Sequence, residues 1–465
     1  MKLYEEHDSS LFAFFYDQVI SRPSDTYISS NGAILNYGEA YIRVLHIMQS
    51  IRKATDLKNN CVALNFKDQQ KLLLSFWACT ALGTEIVLLP ELALDRESLK
   101  SEAYKLETDI MLTDFVAGPG CLDIDLDQAT GPATQWEEMA DNRRRNIYFF
   151  TSGTTGHSKF ITTSYYQFIR AINCIRENNI MPYTSSQHVL ITVPLFHSYG
   201  LSAMVEYTQG GSCLLLPKVK DYLGPLQSLL DVKTGEQVTA IEGVPYFYKQ
   251  MAVVLNRLKL PNLRHIGMGG DSVSPDLIKK IADKKEHISF SIRYGVTEIP
   301  SIVSVNYFMA SQPVIEKSLG NILPIYEARL YDENGDSQAS AGELVIECLL
   351  YPGRLVRIHT NDIVEGSGNE LTFKSRKTFI KYKGYKINPV EVEGFLTKHQ
   401  DITDARVHLL NEVLTAEIVS SAEAPPAISE IREFLSGYVS AYMIPDQFTI
   451  VDAIQRTRTG KIVRM

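Results

Sequence analysis

The sequence predicts an α/β protein with a large N-terminal domain of parallel-sheet βα layers, a β-rich continuation and a small α+β domain at the C-terminus. Three observations lead there. Helix-like and strand-like segments alternate up to about residue 300, the pattern of parallel strands covered by helices. Beyond that the chain turns to strands joined by turns. And 465 residues exceed the usual size of one compact domain.

Taken in order, "DQQKLLLSFWACTAL" has the length and composition of a buried helix, and "EIVLLP" follows as a buried strand. Residues 72–90 are the most membrane-like stretch. Gly83, Thr84 and Glu85 divide it into a helix-length and a strand-length piece, so it reads as core and not as a membrane span. "SLKSEAYKLE" reads as a helix and "DIMLT" as a strand. "YYQFIRAINCIRENN" has helical spacing and "QHVLITVP" is a strand. "GSCLLLP", "VTAIEGVP", "LRHIGMGG" and "SFSIRYG" are short buried strands, separated by helical stretches such as "PYFYKQMAVVLNRL". In "ARLYDENGDSQASAGELVIECL" two strands flank a turn at "DENG". No internal repeat or low-complexity segment stands out.

A smaller unit begins near Ser375. "FIKYKGYKI" alternates as a hairpin with Gly384 at its turn. A helix follows, with Asn388 as cap, Pro389 at the first helical position and Glu391 where a capping box wants it. "DARVHLLNEVLTAEIVSS" supplies two strands and "ISEIREFLSGYV" a helix; the tail "RTRTGKIVRM" is basic and turn-like. The expected division is 1–374 and 377–465, with 375–376 between them.

A net charge of -8 and a pI near 5.8 argue against nucleic acid or an anionic membrane as the main partner. Cys61, Cys79, Cys121, Cys174, Cys213 and Cys348 are scattered, with no Cys-x-x-Cys pair, which reads as reduced thiols of a cytoplasmic protein. The N-terminal "MKLYEEHDSS" lacks the basic-then-apolar order of a secretory signal. "DNRRRN" (141–146) could dock an acidic partner, but a solvated loop before a strand is the plainer reading.

The segment "YFFTSGTTGHSKF" (148–160) sets an apolar run against a turn rich in Thr, Ser and Gly that ends in Lys159. Consecutive N–H groups in such a turn form a nest for phosphate oxygens, and hydroxyls and an ammonium add charge-assisted bonds. It lacks the spacing of a Walker loop. Four more segments stand in fixed order with it: "PLFHSYGL" (194–201), "RYGVTE" (293–298), "HTNDIV" (359–364) and "RTRTGKIVR" (456–464).

Together these five segments resemble the adenylate-forming enzyme superfamily of acyl- and aryl-CoA synthetases, nonribosomal peptide synthetase adenylation domains and luciferases. The resemblance spans nearly the whole chain. It implies a β-barrel-like subdomain in the large domain and a mobile C-terminal domain that rotates about a hinge near 375–376, with Lys377 the best hinge candidate. It implies a reaction in which a carboxylate attacks the α-phosphorus of ATP, giving acyl-adenylate and pyrophosphate. A thiol, of coenzyme A or of a carrier protein's phosphopantetheine, then displaces AMP.

The residue roles that the resemblance implies are these. Thr151, Ser152, Gly153, Thr154, Thr155, Gly156 and Lys159 would hold the β- and γ-phosphates. Tyr294 and Gly295 would face adenine, with Gly269, Gly270, Asp271 and Ser272 as the opposite wall. Thr297 would bind the α-phosphate and Glu298 would hold Mg2+. Asp362 would accept the ribose hydroxyls, with Arg376 reaching the same nucleotide. Lys461 would clamp the carboxylate and α-phosphate, and Gly384 would line the pantetheine tunnel. His197, Tyr199, Gly243, Val244, Gly269 and Gly270 would line the acid pocket.

The chain departs from the family pattern at Ser158, where Pro is usual, at Phe160, where Gly is usual, and at Gln455, where Pro is common. His197 stands where amino-acid-activating relatives carry Asp, which favours a fatty or aromatic acid over an α-amino acid. A compact interval between Glu298 and Asp362 leaves little room for the insertion of long-chain acyl-AMP ligases. No carrier protein is fused, so any such partner would be a separate chain. Rival readings are an amino-acid-adenylating enzyme, a non-catalytic nucleotide- or acyl-binding protein of the same fold, and a phosphotransferase.

Overall fold

The computed structural model describes Ser10–Val463 apart from residues 31, 91–105, 115–119, 129–142, 152–158, 218–222, 283–285, 313–315, 333–336, 338–339, 369, 377–379, 383–384, 412, 423, 440–442 and 457–461. The chain divides into two compact units. The first takes in the chain up to Thr151, Lys159–Glu327 and Glu347–Ile358; the second takes in Ala328–Ile346 and the chain from His359 onward.

Two sheets dominate the first unit. One has nine strands, in the spatial order Asn321–Ile322, Ser304–Met309, Ser289–Tyr294, His265–Gly269, Ala240–Gly243, His188–Ile191, Cys213–Leu216, Thr26–Ser30 and Ala33–Asn36. The six strands from Ser289–Tyr294 to Thr26–Ser30 run parallel, and antiparallel strands flank them on both sides. The second sheet has six strands: Cys121–Leu122, Ile110–Thr113, Cys61–Asn65, Glu85–Leu88, Asn146–Thr151 and Lys159–Ser164. It is parallel except at its last pair. The central parallel strands Cys61–Asn65, Ala240–Gly243 and His265–Gly269 are buried along their whole length.

The helices begin where the local chemistry satisfies their free N–H groups. Asn36 and Glu39 form a reciprocal capping box for Tyr37–Ala54, and Ser164 and Gln167 form another for Tyr165–Glu177. Asp68 caps Gln69–Leu82, and Gly83, at φ 67°, ends it. That helix is apolar all round and buried, as expected for a core helix. Among the described residues no helix is long and apolar enough to cross a membrane. The expected helix at "SLKSEAYKLE" lies almost wholly outside the described residues, as does most of the "DENG" turn.

Where a barrel-like subdomain is expected, Glu327–Tyr331, Ala341–Tyr351, Arg354–Glu365 and Thr372–Arg376 form a four-stranded sheet in sequence order. Beyond it lies the predicted hairpin, Ile380–Tyr382 against Tyr385–Ile387. Asn388 then caps Pro389–Leu396 by accepting from Val390 N–H, with Pro389 at the first position. Ile402–Leu410, Val413–Ser420 and Gln447–Ile450 make a three-stranded sheet, on which Pro389–Leu396 and Ile428–Ser436 bury Val392, Leu396, Ile431 and Leu435.

Candidate active site

Four of the predicted segments meet at the carboxyl ends of interior strands of the nine-stranded sheet. Ser289–Tyr294, His265–Gly269, Ala240–Gly243 and His188–Ile191 are consecutive neighbours, all parallel. At their carboxyl ends follow, in turn, Gly295–Glu298, Gly270–Ser272, Val244, and the stretch from Thr192 to Tyr199. Ligands of open α/β sheets sit outside the carboxyl ends of the strands, so segments up to about 100 residues apart in sequence converge where a ligand belongs.

Tyr294 is the last residue of its strand, and its carbonyl accepts from Val303 N–H at 2.9 Å, closing the segment between them. Thr297 and Glu298 are half-buried within that segment. Gln167 donates to the Glu298 carbonyl at 3.4 Å, leaving that bond to the backbone and not to the carboxylate. Gly270 adopts φ +87°, a conformation L residues avoid, and the exposed Asp271 accepts from Ser272 N–H at 2.7 Å. His197 has extended backbone at the start of helix Ser198–Gln209, with its ring 4.5 Å from that of Phe196. Val244 precedes Pro245–Arg257 in the same way. Gly243 is buried, and a Cβ there would come 2.6 Å from Thr192 Oγ1.

Beneath these segments lies an ion cluster that the sequence reading missed. The buried Arg293 donates to Glu206 Oε2 and to Glu242 Oε1, both at 2.7 Å, and to Tyr183 Oη at 2.9 Å. Tyr199 and Tyr207 each donate to Glu242 at 2.8 Å, and Ser301 donates to Glu206 at 2.6 Å. Burial pushes the Glu242 carboxyl up, opposed by Arg293 and by the tyrosine hydroxyls. Burial, then the neighbouring Glu242, holds the Tyr199 hydroxyl well above its ordinary range, so it stays a neutral donor. His265, bonded to Ser289 and Ser291 at 2.9 and 3.0 Å, is pushed down to about 3 by burial and by Arg293. A signal for the cluster existed: "AIEG" and "SIRY" each place a charge inside a buried strand, which requires a partner.

In the six-stranded sheet, Asn146–Thr151 and Lys159–Ser164 form an antiparallel hairpin in which Thr151 pairs with Lys159. Thr151 and Lys159, the two ends of the predicted phosphate segment, are thus paired; Ser152, Gly153, Thr154, Thr155 and Gly156 lie outside the described residues. Phe160, the residue found in place of Gly, lies opposite Phe150 with ring centroids 5.4 Å apart at an edge-on angle.

The second unit holds Asp362 and Arg376. They are opposite one another across an antiparallel pair, with Arg376 Nε 3.2 Å from Asp362 Oδ1. Asp362 is buried, and its N–H is bonded to Thr360 Oγ1 at 3.1 Å. Preceding it, Asn361 takes φ +59°, and its N–H reaches Glu343 Oε1 at 3.3 Å. Lys377, Gly384 and Lys461 lie outside the described residues. No group of three His, Cys, Asp or Glu side chains suited to a metal occurs among the described residues. A magnesium ion held by one carboxylate, phosphate oxygens and water needs no such group.

A family model described as AMP-binding enzyme matches residues 15–348, and one described as AMP-binding enzyme C-terminal domain matches residues 391–461. The chain is 22% identical to 4-coumarate--CoA ligase 3 of Arabidopsis thaliana, over 94% of this chain and 86% of that protein. It is 24% identical to 2-succinylbenzoate--CoA ligase of Bacillus licheniformis, over 89% and 90%. Among solved structures, O-succinylbenzoate coenzyme A synthetase from Bacillus subtilis in complex with AMP superposes with a TM-score of 0.77 at 20% identity, covering 97% of both chains. The same synthetase with ATP and magnesium ion superposes at 0.75 and 20% identity, covering 97% and 98%.

Proposed function

Because the chain belongs to the AMP-binding enzyme family, we propose that it is an AMP-forming acid–thiol ligase that adenylates a carboxylic acid with MgATP and passes the acyl group to coenzyme A. The observation that carries this reading is the convergence of "RYGVTE", "MGGDSV", "EGVP" and "PLFHSYGL" at the carboxyl ends of four adjacent parallel strands. The named CoA ligases among the relatives support coenzyme A as the acceptor over a carrier protein's pantetheine.

In this reading negative charge grows on the phosphoryl oxygens as the acid's carboxylate attacks, and fixed donors there lower the barrier. Thr297 donates to the α-phosphate, and the Thr151–Lys159 segment receives the departing pyrophosphate. Glu298, half-buried at the strand end with its carbonyl already bonded to Gln167, offers its carboxylate to magnesium, which would neutralise charge on the phosphates. The Asp362 carboxylate takes the ribose hydroxyls, oriented by Arg376 across the strand pair. Lys461 supplies a cation to the α-phosphate and carboxylate during adenylation. It leaves when residues 377–465 rotate about 375–376, and Gly384 then leaves room for the pantetheine arm.

The test is pyrophosphate release from MgATP across fatty acids of several lengths, benzoates, cinnamates and amino acids, each with and without coenzyme A. Release with one acid class that rises with coenzyme A is the expected result. Release that rises only with an added carrier protein would reassign the acceptor. No release with any acid would contradict the ligase reading in favour of a nucleotide-binding protein.

A further inference from the structure

We propose that Ser301 is a positioning residue for the turn that carries Thr297 and Glu298. It pins the far end of that turn to helix Ser198–Gln209, and so sets where the two side chains meet the nucleotide and its magnesium. This rests on the ligase reading, in which Thr297 serves the α-phosphate and Glu298 the metal.

Tyr294 and Val303 close the segment at its base, and within it Ile299 N–H donates to the Val296 carbonyl at 3.0 Å. That bond makes Thr297 and Glu298 the two central residues of a β-turn. Val296, Ile299 and Ile302 are buried around it, while Thr297 and Glu298 stay half-buried. A β-turn fixes its own shape but not its place in the molecule, so groups outside it must hold it. Gln167 does so on one side, through the Glu298 carbonyl.

Ser301 does so on the other. Its φ of +66° lies in the left-handed region, which residues with a Cβ seldom adopt and keep only where their surroundings impose it. Two hydrogen bonds impose it here. Ser301 N–H donates to Ser202 Oγ at 2.8 Å, and the Ser301 hydroxyl donates to Glu206 Oε1 at 2.6 Å. Ser202 and Glu206 are four residues apart on one helix, hence on one face of it, and both are buried. Glu206 is itself fixed, because its other oxygen accepts from Arg293 at 2.7 Å and from Tyr183. A hydroxyl bonded to a carboxylate paired in this way makes a charge-assisted bond, stronger than a neutral one. The bend at Ser301 also brings its carbonyl back to the start of the turn, where a Cβ on Gly295 would lie 3.3 Å from it. A shift of Ser301 is therefore felt at both ends of the turn. Groups that orient a metal ligand from behind in this way are typically worth about 10- to 100-fold in metal affinity.

The experiment measures binding of α,β-methylene-ATP, which cannot be cleaved at the α-phosphorus, by calorimetry on the full chain. Each protein is titrated once with magnesium and once with EDTA, and the ratio of the two dissociation constants is the magnesium gain. The proteins are the wild type, Ser301→Ala, Ser301→Gly, Ser202→Ala and Glu298→Gln. The wild type should show a gain of at least about tenfold, and Glu298→Gln should lose most of it. Ser301→Ala should lower the gain at least about threefold. Ser301→Gly, which accepts the positive φ without strain but lacks the hydroxyl, should match it. Ser202→Ala, which keeps the bond to Glu206, should lower the gain less, and it carries the test if the Ser301 variants do not fold. An unchanged gain in the folded variants would overturn the proposal. So would a lowered binding stoichiometry with an unchanged gain, since that marks a loss of folded protein and a purely structural role. A wild type that binds the analogue with no magnesium gain would overturn the metal role of Glu298 and the proposal with it. A wild type that does not bind the analogue at all would overturn the ligase reading itself.

Discussion

At the scale of single residues, the buried charges decide most. Arg293 neutralises two carboxylates that helix Ser198–Gln209 and strand Ala240–Gly243 bring within 2.7 Å of it. Arg293→Met would leave both buried without a cation and should destabilise the fold by about 3–5 kcal/mol in urea denaturation. His265 gives a pH signature. Its folded pKa is depressed from 6.5 to about 3, so it stays neutral in the fold while the unfolded chain takes up a proton below about 6.5. Stability that is present above pH 6.5 should thus fall as the pH drops toward 3, by up to about 1.4 kcal/mol per pH unit for this one group. His265→Gln should flatten that slope in denaturation curves between pH 7 and 5. The raised Glu242 carboxyl acts in the opposite sense, since its shift favours the fold on acidification. Comparison with the His265 variant separates the two.

At the scale of elements, departures from the family's pattern acquire physical reasons. Phe160 stands where the family usually has Gly. In the fold it pairs with Phe150 across the hairpin base, beside a small apolar cluster of Cys61, Ala63, Val87 and Met111. The tail reads as basic and turn-like, yet its described residues are anchored. Arg456 and Ile462 form a β-bridge, and Val463 N–H reaches the Gln455 carbonyl at 2.9 Å. Arg456 binds both oxygens of Asp404 at 2.7 and 2.6 Å, and Arg406 donates to the Val463 carbonyl at 2.9 Å. Lys461 lies between these anchors in sequence, so Asp404→Ala should slow adenylation about tenfold and spare thioester formation from supplied acyl-adenylate. Equal loss in both half-reactions would assign Asp404 a purely structural role. Neither anchor was legible in the sequence, because Asp404 is 52 residues from Arg456 and Arg406 is 57 from Val463.

At the scale of the whole molecule, the sequence revealed what is local and periodic. Alternating βα segments foretold the parallel sheets, and Asn388 with Pro389 foretold the start of a helix. The candidate site segments could be singled out because each is a short run of unusual residues. What stayed hidden was the order of strands, which makes Ser289–Tyr294, His265–Gly269, Ala240–Gly243 and His188–Ile191 neighbours, and the charge cluster that this order creates. Glu206 and Glu242 stand 87 and 51 residues from Arg293, and no local pattern links them. No disulfide joins the six cysteines, and only Cys121 is not buried. Burial pushes Cys61, Cys79 and Cys213 up to about 12 and Cys348 to about 11. A thiol reagent at pH 8 should therefore label Cys121 alone in the folded protein and all six after denaturation.

The most direct test of the whole account is the nucleotide product of turnover, measured by chromatography with the preferred acid and coenzyme A. The account predicts AMP and pyrophosphate in equal amounts, dependent on the acid and reduced about 100-fold in Lys461→Ala. ADP as the product, or AMP formation that Lys461→Ala leaves unchanged, would contradict it.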